Sequence, residues 1–374
     1  MKKRGALLAA IGTLTGTIVG AGILGIPYVV SKSGLLPGLI VIGVLASLVL
    51  MTNLYFGEVM LRTKGKHQLP GYIGKYLGKK GKIIMLISSL IFIYGALTAY
   101  LLGEGEVLSF IFTGGIGSTI LFSFLFFIAL AYLIYVGLEA LEKGEVWGSL
   151  AVIGMVLLIF IFFIKDVAIS NFTLASSNPV MWFLPYGVVL FAFLATSCLP
   201  EMREELEKNE KLLKKAIIIG SLIPIVLYVL FTIAVYGFAG ANTPQIATIA
   251  LGKLPSILAV FTMFTSFLAL GIALKEVFMY DFKMSHDKSY LLVIIPLFLI
   301  AGSVILFRLA SFVRILSLVG SLAGGIAGVL ILLTIKKAKK VGERKPEYVM
   351  PINWIIISLL ILMFIAGIVY QFIF

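Results

Sequence analysis

Residues Gly12–Pro27 read GTLTGTIVGAGILGIP. Five glycines, three threonines and a closing proline stand inside an apolar run long enough to cross a bilayer. Glycine adds backbone freedom and proline removes an N–H donor, so neither suits an uninterrupted helix. In hydrocarbon every freed backbone group needs a partner. A crossing written this way is either packed tightly against a neighbour or broken around a ligand.

Working outward, the chain is 61% hydrophobic and 13% charged, far from the composition of a water-soluble domain. Apolar runs of about 20 residues, the length that spans ~30 Å of hydrocarbon as helix, recur throughout. Eleven are expected, at roughly 6–30, 37–61, 83–103, 117–138, 147–165, 180–200, 215–238, 255–275, 290–307, 312–335 and 352–373. The loops between them are short and leave no room for a soluble catalytic domain. The lysine- and arginine-rich N-terminus followed by an apolar run reads as a retained first span, because the run is longer than a signal-peptide core and lacks a clean cleavage site.

The net charge of +13 orients the chain and need not bind nucleic acid. With the N-terminus in the cytoplasm, every Lys and Arg except Lys32, Lys165, Lys253, Arg308 and Arg314 falls on the inner side. That is the positive-inside asymmetry, and it places the C-terminus outside the cell membrane. Cys198 is the single cysteine, which rules out an intrachain disulfide, and His67 and His286 lie in inner loops.

The sixth run, Leu184–Glu201, is irregular in the same way as the first. Pro185 and Gly187 open it, Pro200 closes it, and Ala195, Thr196, Ser197 and Cys198 stand between. Five crossings separate the two, so they enter the membrane from opposite sides. Two irregular helices at matching places in oppositely oriented halves predict an all-α membrane protein built as a five-plus-five inverted repeat. The repeats are expected at about 5–165 and 179–337 within one unit of residues 1–345, with 346–374 as an accessory eleventh helix. Gly320, Gly324 and Gly328 in the tenth run, spaced by four, read as a close packing face.

If the first crossing unwinds near Thr17–Gly22, the N–H groups of Ala21, Gly22 and Ile23 open a new half-helix at the midplane. Helix N-termini carry partial positive charge and suit a carboxylate. Carbonyls from Gly16 to Val19, Ile18 among them, and from Phe191 to Phe193 around Ala192 then suit an adjacent ammonium. Glycine at 20 and 22 lets a ligand reach the backbone. The expected ligand is a free amino acid, with Tyr94, Tyr100, Phe191 and Phe193 as candidate walls. Intramembrane charge is almost missing from this reading: Glu58, Glu139, Glu201, Lys275 and Glu276 all fall near inner helix ends, where snorkelling or surface pairing is expected. Thr262, Thr265 and Ser266 share one face of the eighth run and, with the carbonyls of Gly16 and Val19, offer an all-oxygen cage for a sodium ion. The competing reading is that these hydroxyls bond their own helix.

TIVGAGILGIPY (Thr17–Tyr28) resembles the first-span signature of the amino acid/auxin permease family and the related bacterial hydroxy and aromatic amino acid permeases. LTAYLLGEGEVL (Leu97–Leu108), LPYGVVLFAF…LPEMREEL (Leu184–Leu206) and TSFLALGIALKEVFMYDF (Thr265–Phe282) resemble the same families in order along most of the chain. These belong to the amino acid–polyamine–organocation superfamily, so the resemblance implies a LeuT-type fold and alternating-access amino acid transport. It implies carboxylate-binding amides at Ala21 and Gly22, substrate contacts from Phe191 to Leu194, and a sodium site of Gly16, Val19, Thr262, Thr265 and Ser266. Two departures stand out. Sodium-coupled relatives often carry Asn where this chain has Gly16, and Leu194, Ala195 and Thr196 follow Phe-Ala-Phe where relatives often have glycines, which narrows the pocket towards smaller substrates.

The expected function is a secondary active importer of amino acids driven by sodium or proton entry, and not an enzyme. The alternative is a transporter-like sensor that binds an amino acid without moving it. The expected partners are the substrate and membrane lipid, with no nucleic acid and no cofactor beyond a possible sodium ion.

Overall fold

A computed structural model describes residues 3–137 and 139–373, and side chains within them other than those of 3, 139–147, 149 and 281. The helices are α1 (Lys3–Ile18), α2 (Ile26–Ser33), α3 (Leu35–Leu61), α4 (Leu69–Thr113), α5 (Thr119–Val136), α6 (Glu139–Phe163) and α7 (Pro185–Phe193). They continue with α8 (Leu199–Glu205), α9 (Leu213–Ala239), α10 (Lys253–Glu276), α11 (His286–Leu306), α12 (Phe312–Val319), α13 (Gly325–Val341) and α14 (Trp354–Ile373). Ten helical stretches among the described residues are long and apolar enough to cross a membrane. The crossing expected at 147–165 falls in α6, part of whose side chains lie outside the described residues, and it is not one of those ten.

Short pairs of helices share single crossings. α1 with α2 makes Arg4–Ser33, α7 with α8 makes Pro179–Glu205, and α12 with α13 makes Phe312–Val341. Burial sorts centre from periphery: 67% of the apolar window is buried in the last two of these, against 28% in α5, α11 and α14. The irregular crossings are therefore the axis of the bundle. The regular ones face outward with large apolar side chains such as Phe124, Phe298 and Leu362 exposed, as lipid contact requires.

α4 kinks at Gly78, where φ is +76°, so a short inner segment turns away from a long membrane-crossing one. The second segment runs to Thr113, ten residues past the end expected at 103. The extra length matters below, because it draws Glu104 into the interior. α7 and α12 cross at closest approach through Gly187 and Gly320: a β-carbon on Gly320 would lie 2.0 Å from the Gly187 carbonyl oxygen. Gly324 packs on Leu190 and Leu194, and Gly328 on the ring of Phe364.

Candidate functional site

The helical pattern of α1 stops at Ile18. The Val19 N–H still reaches the Thr15 carbonyl at 2.8 Å, but the Gly20 N–H turns to Ile18 O at 2.8 Å and leaves Gly16 O without that donor. Gly20 is extended, with φ −97° and ψ −155°. A tight turn of 3₁₀ helix, Ala21–Gly25, then leads into α2, where Pro27 sits in the first turn and costs no hydrogen bond. Ala21 and Gly22 open that turn, the end at which N–H groups lack an intrahelical acceptor.

α7 stops in the same manner after Phe193. Leu194 is extended, with φ −72° and ψ 103°, and Ala195 has φ −140° and ψ 19°. One 3₁₀ turn, Thr196–Cys198, precedes α8. Thr196 donates to Asn53 Oδ1 of α3 at 3.0 Å, which fixes this interruption to the second crossing. Thr13 of α1 donates to Glu205 of α8 at 2.9 Å, so α1 and α8, one half of each irregular crossing, are tied together.

The two interruptions meet. A β-carbon on Gly22 would lie 2.7 Å from Ala192 Cα, so only glycine permits this approach. The Tyr228 hydroxyl of α9 lies 2.5 Å from Ile18 O and 2.9 Å from Ala192 O, and its single proton is shared between them. Tyr228 is fully buried, and the Phe193 ring packs on it with centroids 5.0 Å apart. Phe191 is flanked by Phe92 at 5.3 Å and Tyr100 at 6.4 Å. The result is a knot of carbonyls and helix-opening amides walled by aromatic rings. Two carbonyls in it, from Ile18 and Ala192, already hold a hydroxyl donor. A donor of the same reach, such as an ammonium, is what they accept.

Sequence reasoning missed Tyr228, because a tyrosine in a regular helix carries no pattern that separates it from the other fourteen. Among the expected walls, Tyr100, Phe191 and Phe193 lie at the knot. Tyr94 does not join them by its hydroxyl, which bonds Leu292 O of α11 at 2.6 Å. Ala21, Ile23, Ile18 and Val19 are buried there, and Thr17 Oγ1 bonds Thr13 O at 2.7 Å within α1. Of the hydroxyls proposed to hold sodium, Ser266 Oγ lies 3.2 Å from where a Gly20 β-carbon would be. The protons of Thr262 and Thr265 go to carbonyls of their own helix, at 2.9 Å to Leu258 O and 2.9 Å to Phe261 O. Their lone pairs stay available, and no charged side chain stands among the five residues.

The reading that ionisable groups stay at the surface is corrected. Glu58 and Glu104 are 0% exposed and Lys275 is 5% exposed. Lys275 Nζ bonds Ile134 O at 2.5 Å, at the end of α5 where carbonyls lack helical partners. Glu58 accepts from Arg62 Nε at 2.8 Å and from the Met350 N–H at 2.6 Å, with Lys339 Nζ at 3.4 Å. Glu104 has no hydrogen-bond partner on either oxygen among the described residues. The third run was expected to end at 103, just before this residue, but α4 continues to Thr113. The side chain of Glu139 lies outside the described residues.

The segment after α13 straps the end of the bundle at which α3 finishes. Glu343 and Arg344 N–H groups donate to Arg62 O at 2.9 and 3.2 Å, and Glu343 takes Lys75 at 2.7 Å. Arg344 and Arg203 share Glu210 at 2.7 and 2.8 Å, and the Tyr348 hydroxyl donates to Leu54 O at 2.7 Å. The Lys75 ammonium, with the Lys64 amide, holds the Glu343 carboxyl below the usual carboxylate range. Burial, with Glu58 nearby, pushes the Tyr348 phenol up.

Known proteins share this architecture. A family model described as the tryptophan/tyrosine permease family matches residues 3–371. Tyrosine-specific transport system 1 of Haemophilus influenzae is 23% identical over 377 residues, covering 93% of this chain and 92% of that protein. Glutamine transporter 2 of Aliivibrio fischeri is 24% identical over 278 residues, covering 70% of this chain and 72% of its own length. Among solved structures, MhsT in complex with L-phenylalanine aligns with a TM-score of 0.64 at 14% identity, over 98% of this chain and 97% of that one. The inward-facing conformation of Mhp1 aligns with a TM-score of 0.67 at 12% identity, over 98% and 88%. The fold is thus of the LeuT type.

Proposed function

The chain belongs to the tryptophan/tyrosine permease family, and on that footing we propose that it imports a neutral amino acid across the cell membrane by alternating access. The observation that carries the reading is the meeting of two interrupted crossings at Gly22 and Ala192, with Tyr228 joining their carbonyl ends. Paired interruptions of this kind place substrate sites in inverted-repeat transporters. Related proteins are a tyrosine-specific transport system and a glutamine transporter, which supports an amino acid as the cargo.

The substrate carboxylate docks on the amides of Ala21, Gly22 and Ile23, with Thr17 and Gly20 beside it. Its ammonium takes the carbonyls of Ile18 and of Phe191 to Phe193, displacing the Tyr228 hydroxyl from Ile18 and Ala192. No ionisable side chain belongs to either interruption, which favours an uncharged substrate side chain. Tyr100, Phe191 and Phe193 pack against that side chain, and Leu194 limits its size. Binding must be weak enough in every state that no conformation is trapped.

Entry is driven by a cation. A sodium ion would be held by the carbonyls of Gly16 and Val19 and the hydroxyls of Thr262, Thr265 and Ser266, where it adds positive charge beside the substrate carboxylate. A proton is the other driver. The N-terminus and the basic loops lie in the cytoplasm, and the C-terminus lies outside.

Purified protein in proteoliposomes tests the reading. Labelled tyrosine, tryptophan, phenylalanine, glutamine, serine and alanine are supplied in turn under a sodium gradient and then a proton gradient. Counterflow of at least one of them is expected, together with accumulation under one gradient. Saturable binding with no counterflow for any substrate would make the protein a sensor and end the transport reading.

A further inference from the structure

Glu104 is a fully buried acid to which neither the substrate contacts nor the sodium ligands above give a task. It lies one turn beyond Tyr100 on α4 and nine residues before the outer end of that helix at Thr113, about 13 Å of depth at ~1.5 Å per residue. Its neighbours on α4 show what surrounds it. A β-carbon on Gly103 would touch Met263 Sδ of α10 at 2.7 Å and the Phe312 ring of α12 at 2.9 Å. One on Gly105 would strike Ser123 Oγ of α5 at 1.9 Å. The backbone of Phe264 approaches the carboxyl without making a hydrogen bond of ordinary geometry.

Among the described residues no counter-charge faces it. α5 has no Asp, Glu, Lys, Arg or His, and carries only Tyr132 and Tyr135 towards its inner end. α10 has none between Leu254 and Leu274. α11 and α13 hold their charged residues at inner ends, at His286–Lys288 and Lys336–Lys340, with Tyr290 beside the former. α12 contributes Arg314, whose side chain is exposed while Phe312 packs inward. On α4 itself stand Glu106, half-buried, and Tyr100, which hydrogen-bonds no carboxyl oxygen of Glu104.

A charged carboxylate stripped of water with no cation or donor costs several kcal/mol. A salt bridge removes that cost at Glu58, and among the described residues none is present at Glu104. A bound proton removes it instead. The acid is also well placed to feel the substrate, since Tyr100, one turn away, packs on Phe191 of the sixth-crossing interruption at 6.4 Å.

We propose that Glu104 is the residue that carries the coupling proton of this transporter. The inference rests on the transport reading above and selects its driver. When the outer half opens, water reaches the carboxylate, and one oxygen takes a proton from it. Closure of Phe312 and Met263 over α4 seals the neutral acid. Inner opening returns the proton to cytoplasmic water and restores the carboxylate, so one positive charge moves inward with each zwitterion. The substrate itself is unchanged.

The test uses full-length protein in proteoliposomes with a trapped pH dye, comparing wild type, Glu104→Gln and Glu104→Asp. The probe is whichever amino acid the wild type counterflows. Glutamine copies the shape of the neutral acid, so Glu104→Gln should keep counterflow, which needs no net proton movement. It should lose both substrate-dependent acidification of the lumen and the roughly tenfold accumulation that about one pH unit supports at one proton per substrate. Glu104→Asp should acidify the lumen, with the pH midpoint of uptake displaced from that of wild type. A Glu104→Gln protein that still moves protons at the wild-type ratio overturns the proposal. So does a wild type that counterflows but never acidifies the lumen. If Glu104→Gln fails to insert, the aspartate variant decides: an undisplaced pH midpoint also overturns it. Absence of counterflow in the wild type would instead sink the transport reading, and it is seen before any variant is made.

Discussion

Glu58 on the second crossing and Glu104 on the third are both 0% exposed, yet their surroundings treat them in opposite ways. Glu58 is met by Arg62, by Lys339 and by the Met350 N–H, so its charge is neutralised and its lone pairs are used. Glu104 is met by Met263, Phe312 and Ser123 through its neighbours, and by no hydrogen bond among the described residues. The contrast extends to the regions they occupy. The end of the bundle where α3 finishes is a lattice of ion pairs laid over by the 342–353 segment. The middle is held by carbonyls, a shared hydroxyl and tight backbone contact. Burial alone therefore says little about an acid's role, and what separates a structural carboxylate from a mobile-charge one is the set of partners around it.

By that division, changes in the middle should alter transport with stability largely kept, and changes at the ion-paired end should do the reverse. The largest effect is expected from Gly22→Val. Its side chain would drive into Ala192, where a single β-carbon already falls at 2.7 Å. Uptake should drop by about 100-fold or more, because a small misplacement of a binding site is that costly, while the protein still inserts. Unchanged uptake would remove the meeting of the two interruptions from the account.

Glu58→Gln comes next and should act on stability. It leaves Arg62 and Lys339 without their shared carboxylate, and breaking a buried pair from one side costs about 3 kcal/mol. Thermal unfolding in detergent should show a fall of several degrees, with counterflow per folded molecule preserved. A melting curve identical to wild type would erase the contrast with Glu104.

Tyr228→Phe removes one hydroxyl from between Ile18 O and Ala192 O. The loss of a shared hydrogen bond is worth about 1 kcal/mol. The expected outcome is a several-fold change in substrate KM, because the hydroxyl competes with the ammonium for the same carbonyls. A pure change in melting temperature with KM unmoved would assign Tyr228 to packing.

Glu343→Gln should have the smallest effect, since the group is exposed and screened by water. The folded-state carboxyl is held below its ordinary value of about 4.3, so the stabilisation is present above that value and fades as pH falls through the lower, folded one. The melting temperatures of variant and wild type should differ by about one degree at neutral pH and converge in acid. A gap that widens in acid would reverse the sign of the assignment.

The two irregular crossings were legible because glycine and proline are scarce inside apolar runs, so GTLTGTIVGAGILGIP and LPYGVVLFAFLATSCLPE stand out from Leu- and Phe-rich neighbours. The tenth-run glycines were legible for the same reason, and Gly320 and Gly324 do pack on α7. Glu104 was hidden by helix length. A run that ends at residue 103 by hydropathy puts the acid at the surface, whereas α4 winds on to Thr113 and carries it inside. Glu58 was hidden by its partners, because Lys339 and Met350 lie almost three hundred residues away in sequence. Tyr94 shows what a pattern does not record: it is an aromatic on the expected crossing whose hydroxyl turns to α11.

The sequence by itself determined the membrane environment, the order of the apolar helices along the chain and the stretches poor in helix-forming residues, since these follow from local composition and the energetics of backbone in lipid. Which carbonyls share the Tyr228 hydroxyl, which acid is paired and which is left alone were decided only by tertiary structure. Those outcomes depend on side chains brought within a few ångströms by packing, and no one-dimensional pattern records that proximity.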